Sequence, residues 1–166
     1  MSAKYRQTFL ILFTLLSALT LAGCRFGPQT AEDFVNRGIV RDNRGNQEDG
    51  AIADFTRAIK LNPKYVEAYF YRGVAKEKKG DLDGAMVDFT KYIELNPNLA
   101  IAYHNRGWAK KAKGDLDGAI ADYSKAIELN PKFAVAYTNR GEAKKAKGDL
   151  AGADADFAQA AKIRDR

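Results

Sequence analysis

A single period governs most of this chain. The pair Asn-Pro recurs at Asn62-Pro63, Asn96-Pro97 and Asn130-Pro131, each 34 residues from the next. Asn-Arg-Gly recurs at Asn36, Asn105 and Asn139, with Tyr71-Arg72-Gly73 as the variant, and Gly-Asp-Leu recurs at Gly80, Gly114 and Gly148. Beyond Gly27 the glycines fall three to a unit. Self-similarity at such a period means one supersecondary unit stacked on itself, because each copy buries its apolar face only against a neighbour.

Each unit reads as two helices and two turns. Asn-Pro stops one helix and starts the next, since proline cannot donate inside a helix but suits its first turn. Gly80, Gly114 and Gly148 follow lysine-rich stretches, as expected of left-handed glycines ending a helix whose last turn is cationic. Asp81, Asp115 and Asp149 then cap the second helix. Gly73, Gly107 and Gly141 fall inside the first helix, where glycine costs about 1 kcal/mol relative to alanine. Close approach to Ala85, Ala119 and Ala153 of the partner helix is the expected compensation.

The pattern resembles the tetratricopeptide repeat over nearly all of residues 31–166. The matching marks are an aromatic (Phe34, Tyr69, Tyr103, Tyr137), then glycine, then alanine, a second aromatic (Phe55, Phe89, Tyr123, Phe157) and proline. The resemblance implies an all-α fold, an α-α superhelix of four antiparallel helix pairs: 31–65, 66–99, 100–133 and 134–166. Two departures stand out. Arg37, Arg72, Arg106 and Arg140 replace the usual Leu, and Arg41, Lys76, Lys110 and Lys144 replace the usual Tyr; their stems are expected to pack while the charges snorkel outward. The first unit also carries one extra residue in its turn and Glu48 near where the others have Leu82, Leu116 and Leu150. In the last unit Asp154 and Ala161 stand where the others have apolar Ile or Met and Ile, a polar face that reads as the end cap of the array.

Residues 1–23 read as an export signal, here expected to form a signal-peptide helix. Lys4 and Arg6 precede an apolar run from Phe9 to Leu21, shorter than the about 20 apolar residues a bilayer span needs. The run ends in Leu21-Ala22-Gly23-Cys24, which resembles the lipobox of bacterial lipoproteins. That resemblance implies lipidation of Cys24, residues 24–30 as anchor and tether, and membrane attachment. With Arg25 next, it favours the outer membrane facing the periplasm over the inner membrane. An ordinary cleaved signal or an uncleaved anchor are the other readings of the same leader.

The chain's net charge is +6, but its charges are finely mixed, as in Lys76-Glu77-Lys78-Lys79-Gly80-Asp81, which speaks for a solvated surface rather than a nucleic-acid interface. One Cys allows no internal disulfide, and one His with one Cys excludes the usual metal cages. Neither a phosphate loop nor a nucleophile-base pair is visible, and segments such as Asp115-Leu116-Asp117 are capping chemistry rather than a calcium loop. The expected role is therefore binding, with no cofactor and no catalytic residue.

The resemblance places that role on a concave wall made by the first helices, where partner segments lie. Helical spacing gives its lining as Val35, Ile39 and Asp42; Glu67, Phe70, Val74 and Glu77; Ile101, His104, Trp108 and Lys111; and Val135, Thr138, Glu142 and Lys145. Asn36, Tyr71, Asn105 and Asn139 stand beside them. Trp108, His104 and Phe70 form either an aromatic platform or ordinary packing, and the asparagines hold either a partner's backbone or their own helices. Val35, Ile39 and Ile101 occupy positions where the family's carboxylate clamp has Lys and Asn, so that clamp is not expected. The partners expected are envelope proteins or their peptide segments, with a cell-wall glycan or small ligand as the alternative. A homodimer through the last helix, near Phe157 and Ile163, is also open.

Overall fold

A computed structural model describes residues 30–45 and 47–165; the signal segment, Cys24 and the tether up to residue 29 lie outside the described residues. Among the described residues there are eight α-helices and no strands. They are α1 (Ala31–Asn43), α2 (Glu48–Leu61), α3 (Val66–Lys78), α4 (Leu82–Leu95), α5 (Ala100–Ala112), α6 (Leu116–Leu129), α7 (Ala134–Ala146) and α8 (Leu150–Arg164). Each odd helix packs most extensively on the even helix that follows, and each even helix then packs on the next odd one. The odd helices also touch across the stack, α1 with α3 and α5 with α7, whereas no pair of even helices makes comparable contact. The odd helices therefore line the inner wall.

The turns follow from local chemistry. Gly80, Gly114 and Gly148 sit at φ of 84°, 86° and 87°, a region that costs side-chain-bearing residues. The carboxylates of Asp81, Asp115 and Asp149 accept from the backbone N–H of Gly84, Gly118 and Gly152 at 2.9 Å, capping α4, α6 and α8. Only α2 starts without such a bond, from Gln47 in the longer first turn. The prolines behave differently from expectation. Pro63, Pro97 and Pro131 lie in the turns, three residues ahead of α3, α5 and α7. The preceding asparagine folds that turn, its side-chain oxygen accepting from Lys64 N at 3.0 Å and, in the fourth unit, from Lys132 N at 3.1 Å.

Two further expectations are overturned. The inner-helix glycines are pressed not by alanine but by the second aromatic. A Cβ on Gly38, Gly73 or Gly141 would come within 2.5–2.7 Å of the ring of Phe55, Phe89 or Phe157, and one on Gly107 within 3.0 Å of Tyr123. Deleting the side chain lets a flat ring seal each helix pair, and Phe55, Phe89 and Tyr123 are at most 1% exposed.

Nor do the arginines snorkel. Each closes on a buried aspartate of its own second helix, Asp54, Asp88, Asp122 or Asp156, all at most 5% exposed. Arg72 donates to Asp88 from Nε at 2.9 Å and Nη2 at 2.6 Å, while Lys76 approaches the same carboxylate at 2.8 Å. Arg106 and Lys110 do the same at Asp122, Arg140 and Lys144 at Asp156, and Arg37 and Arg41 at Asp54. The guanidinium also lies over the aromatic three residues earlier, at 5.1–5.7 Å from the ring centre. Its remaining nitrogen reaches the preceding unit: Arg72, Arg106 and Arg140 donate to Thr56, Thr90 and Ser124 at 3.1, 3.3 and 3.0 Å. One side chain thus ties three helices, and the snorkelling geometry loses because a paired, doubly bonded carboxylate is within reach.

Candidate functional site

The inner wall is where the described chain leaves large apolar groups uncovered next to polar ones. Ile101 is 37% exposed, Trp108 36% and Val135 53%, all on α5 and α7. The first half of the wall is more closed. Val35 is buried among Ala51, Phe55 and Ala58, Ile39 packs on that cluster, and Asn36 is exposed. Phe70 is half-buried with ring centroids 5.4 Å from Tyr71, 6.4 Å from Phe89 and 5.2 Å from Tyr92. Tyr71 stacks on Phe55 at 5.8 Å, and Val74 is half-buried. Phe70 therefore sits within the packing of the second hairpin, and its ring contacts do not include Trp108.

His104 joins two of the asparagines. Its Nδ1 stands 3.0 Å from Asn105 Oδ1 and its Nε2 2.8 Å from Asn139 Nδ2. A carbonyl oxygen only accepts and an amide nitrogen only donates, so the neutral ring carries its proton on Nδ1. Burial pushes the imidazole below its ordinary value of 6.5; the bond to Asn105 opposes this and the charge of Lys111 adds to it. The ring also lies 5.7 Å from Tyr123 and 5.0 Å from Phe133. The result is a fixed polar seam across α5 and α7, leaving Asn105 its amide hydrogens and Asn139 its carbonyl oxygen. Nothing in the periodicity announced this seam, although a His preceding one Asn, with another Asn 34 residues on, is its trace in the sequence.

Lys111 pairs with Glu142 across the same two helices, and Thr138 turns its hydroxyl back to Ala134 O at 3.2 Å. Among the described residues, two buried side-chain atoms lack a hydrogen-bond partner, Asp42 Oδ1 and Tyr123 Oη. The Tyr123 hydroxyl is pushed up by burial, then by the charges of Glu142, Asp122 and Glu77. A separate cavity of about 550 Å³ opens on the second hairpin, lined by Tyr69, Arg72, Met86, Val87 and Thr90, and includes none of the expected groove residues. No group of three or more His, Cys, Asp or Glu is placed to hold a metal among the described residues.

Stacked helix pairs that leave one wall open, with exposed apolar side chains among pre-aligned polar ones, make an interaction scaffold. The comparisons give the class its family. Models described as TPR repeat match residues 43–80 and 109–148, and models described as tetratricopeptide repeat match 66–99, 89–121 and 134–166. The chain belongs to the tetratricopeptide-repeat family.

A crystal structure of MamA protein is similar at TM-score 0.76 and 27% identity, over 81% of this chain and 73% of that one. A second crystal structure of MamA is similar at TM-score 0.80 and 24% identity, over 99% and 96%. MamA from residue 41 to its end, from Desulfovibrio magneticus RS-1, gives TM-score 0.76 and 23% identity over 81% and 75%. These likenesses establish the fold. No curated protein matches the sequence.

Proposed function

We propose that this protein is a membrane-anchored adaptor of the bacterial cell envelope, tethered through a lipid on Cys24 and holding a segment of another envelope protein along its inner wall. The observation that carries the binding half is the uncovered cluster of Ile101, Trp108 and Val135. Large apolar groups cost free energy in water, and on an otherwise well-sealed stack they mark the place a partner covers. A half-exposed Trp beside fixed asparagine amides has the make-up of a binding hot spot, with about 2 kcal/mol or more at stake.

The anchoring half rests on the leader. Leu21-Ala22-Gly23-Cys24 ends an apolar run behind Lys4 and Arg6, and no helix among the described residues is long and apolar enough to cross a membrane. Two or more acyl chains suffice for stable attachment, each buried methylene contributing about 0.8 kcal/mol. The outer membrane facing the periplasm is the proposed site.

Crosslinking in cells followed by mass spectrometry tests both halves. The wild-type protein is expected in the membrane fraction with envelope proteins attached, Cys24→Ala in the soluble fraction, and Trp108→Ala with Phe70→Ala stripped of its partners. An unchanged set of captured proteins in the double variant removes the inner wall from the account, and membrane retention of Cys24→Ala removes the lipid.

A further inference from the structure

The inner wall changes character along its length at two register positions. The second residue of the four inner helices runs Glu32, Glu67, Ile101, Val135, and the twelfth runs Asp42, Glu77, Lys111, Lys145. The first half is acidic at both positions; the second is apolar at one and cationic at the other. The charges of the second half are partly matched, Lys111 with Glu142. Those of the first half are not. Asp42 gives Oδ2 to Lys78 at 2.6 Å and keeps Oδ1 buried and unpartnered. Glu77, at the equivalent place on α3, is half-buried, and desolvation lifts its carboxyl above the usual range while Lys78 pulls it back. Two carboxylates therefore share one ammonium.

A second and independent irregularity points to the same stretch. Three hairpins seal their inner glycine with Phe55, Phe89 and Phe157, but the third uses Tyr123, whose hydroxyl is wholly buried and has no partner. It feels the charges of Glu77 and Glu142, both inner-wall residues, so it is aimed at the wall and not at the outer helices. Buried polar atoms are nearly always hydrogen-bonded, and orphans call for a missing group. A carboxylate oxygen, a second desolvated carboxylate and a phenol oxygen share one need: all accept a hydrogen bond from a cation.

We propose that a lysine or arginine of the bound segment enters the inner wall beside Glu77, between Asp42 and the Tyr123 hydroxyl, with apolar residues of the same segment lying against Ile101, Trp108 and Val135. This rests on the inner wall being the binding surface, and it names the occupant: a peptide segment basic on one side and apolar on the other. Its cation donates to Asp42 Oδ1, the Glu77 carboxylate and Tyr123 Oη, completing the acidic half. Glu32 and Glu67 add long-range attraction for the same sign of charge and repel an acidic segment.

The test is selection of random dodecapeptides on phage against the full chain in detergent, then calorimetry with the strongest binder. The selected peptides are expected to carry Lys or Arg on one side of large apolar residues. Glu77→Gln and Tyr123→Phe should each weaken that peptide about tenfold, Glu77→Lys should abolish its binding, and Trp108→Ala should weaken it as well. Tyr123→Phe restores the residue the other hairpins use, and Glu77→Gln removes a desolvated charge, so both should keep the wild-type urea midpoint. Wild-type affinity in Glu77→Gln and Glu77→Lys, with loss in Trp108→Ala, overturns the cation site and leaves the inner wall as the binding surface. Indifference to all four changes, or failure to select any peptide, overturns both.

Discussion

Asp88 is 1% exposed and collects two bonds from Arg72 and one contact from Lys76, whose own side chains are 16% and 19% exposed. Taking away one partner of such a buried set leaves the others desolvated and uncompensated, at a cost of about 3–5 kcal/mol. Asp88→Asn should lose free energy near the lower end of that range by urea denaturation, because the cations keep some water. Asp54→Asn should lose clearly less, since Arg37 and Arg41 are 39% and 36% exposed. The ordering checks the argument, and an equal loss at both sites contradicts it. His104 supplies the second residue-level prediction. Its folded pKa lies below the ordinary 6.5, so between the two values the unfolded chain binds more protons. Stability should be intact above 6.5 and fall as pH drops through that window, and His104→Gln should lose this slope. Neither feature was legible as such. The Arg, Lys and Asp were visible at fixed spacing, but Arg72 and Asp88 lie 16 residues apart on two helices, and only the crossing of those helices makes them partners. The sequence reading fell back on snorkelling because it treated each helix alone.

At the scale of elements the sequence was far more informative. Gly80-Asp81-Leu82 contains a positive-φ glycine, a cap and the first residue of α4, and the same three roles recur at Gly114 and Gly148. The start of the inner helices was read too early because proline at a helix's first turn competes with the asparagine turn, and the side-chain bond from Asn62 wins. The inner-helix glycine was recognised as a close approach but assigned the wrong neighbour, since the alanine and the aromatic both follow at constant spacing. Gly73→Ala separates helix preference from packing. Alanine gains about 1 kcal/mol of helix propensity. Its Cβ, however, would stand 2.7 Å from the Phe89 ring, in a core with no room for that ring to retreat. Overpacking costs about 1–3 kcal/mol, so a net loss of stability is expected from thermal or urea unfolding. A gain would show that the ring yields and that the glycine is kept for another reason.

For the whole molecule, stability is a sum of hairpins and the contacts between neighbours. The second and third hairpins, α3–α4 and α5–α6, have a neighbour on each side, while the first and fourth of the described hairpins have one. The outer two are also weaker in themselves. α2 starts without a side-chain cap, and the first aspartate's cations are the most exposed of the four sets. In the fourth hairpin Phe157 is only half-buried, Leu150 is 60% exposed, and Ala158 stands where Thr56, Thr90 and Ser124 accept from an arginine. Opening should therefore begin at the outer hairpins and reach the middle last. In native-state hydrogen exchange, amides of α1, α2 and α8 are expected to exchange fastest and those of α4 through α6 slowest, with α3 and α7 between. The gradient has a functional corollary, because the exposed apolar cluster sits on α5 and α7 and the unmatched carboxylates on α1 and α3. The apolar end of a bound segment would meet a firm surface and its basic end a softer one. A bound peptide should accordingly slow exchange most in α1. Equal protection throughout the free protein would mean that the arginine braces make the four hairpins a single cooperative unit, and the nearest-neighbour account would then fail.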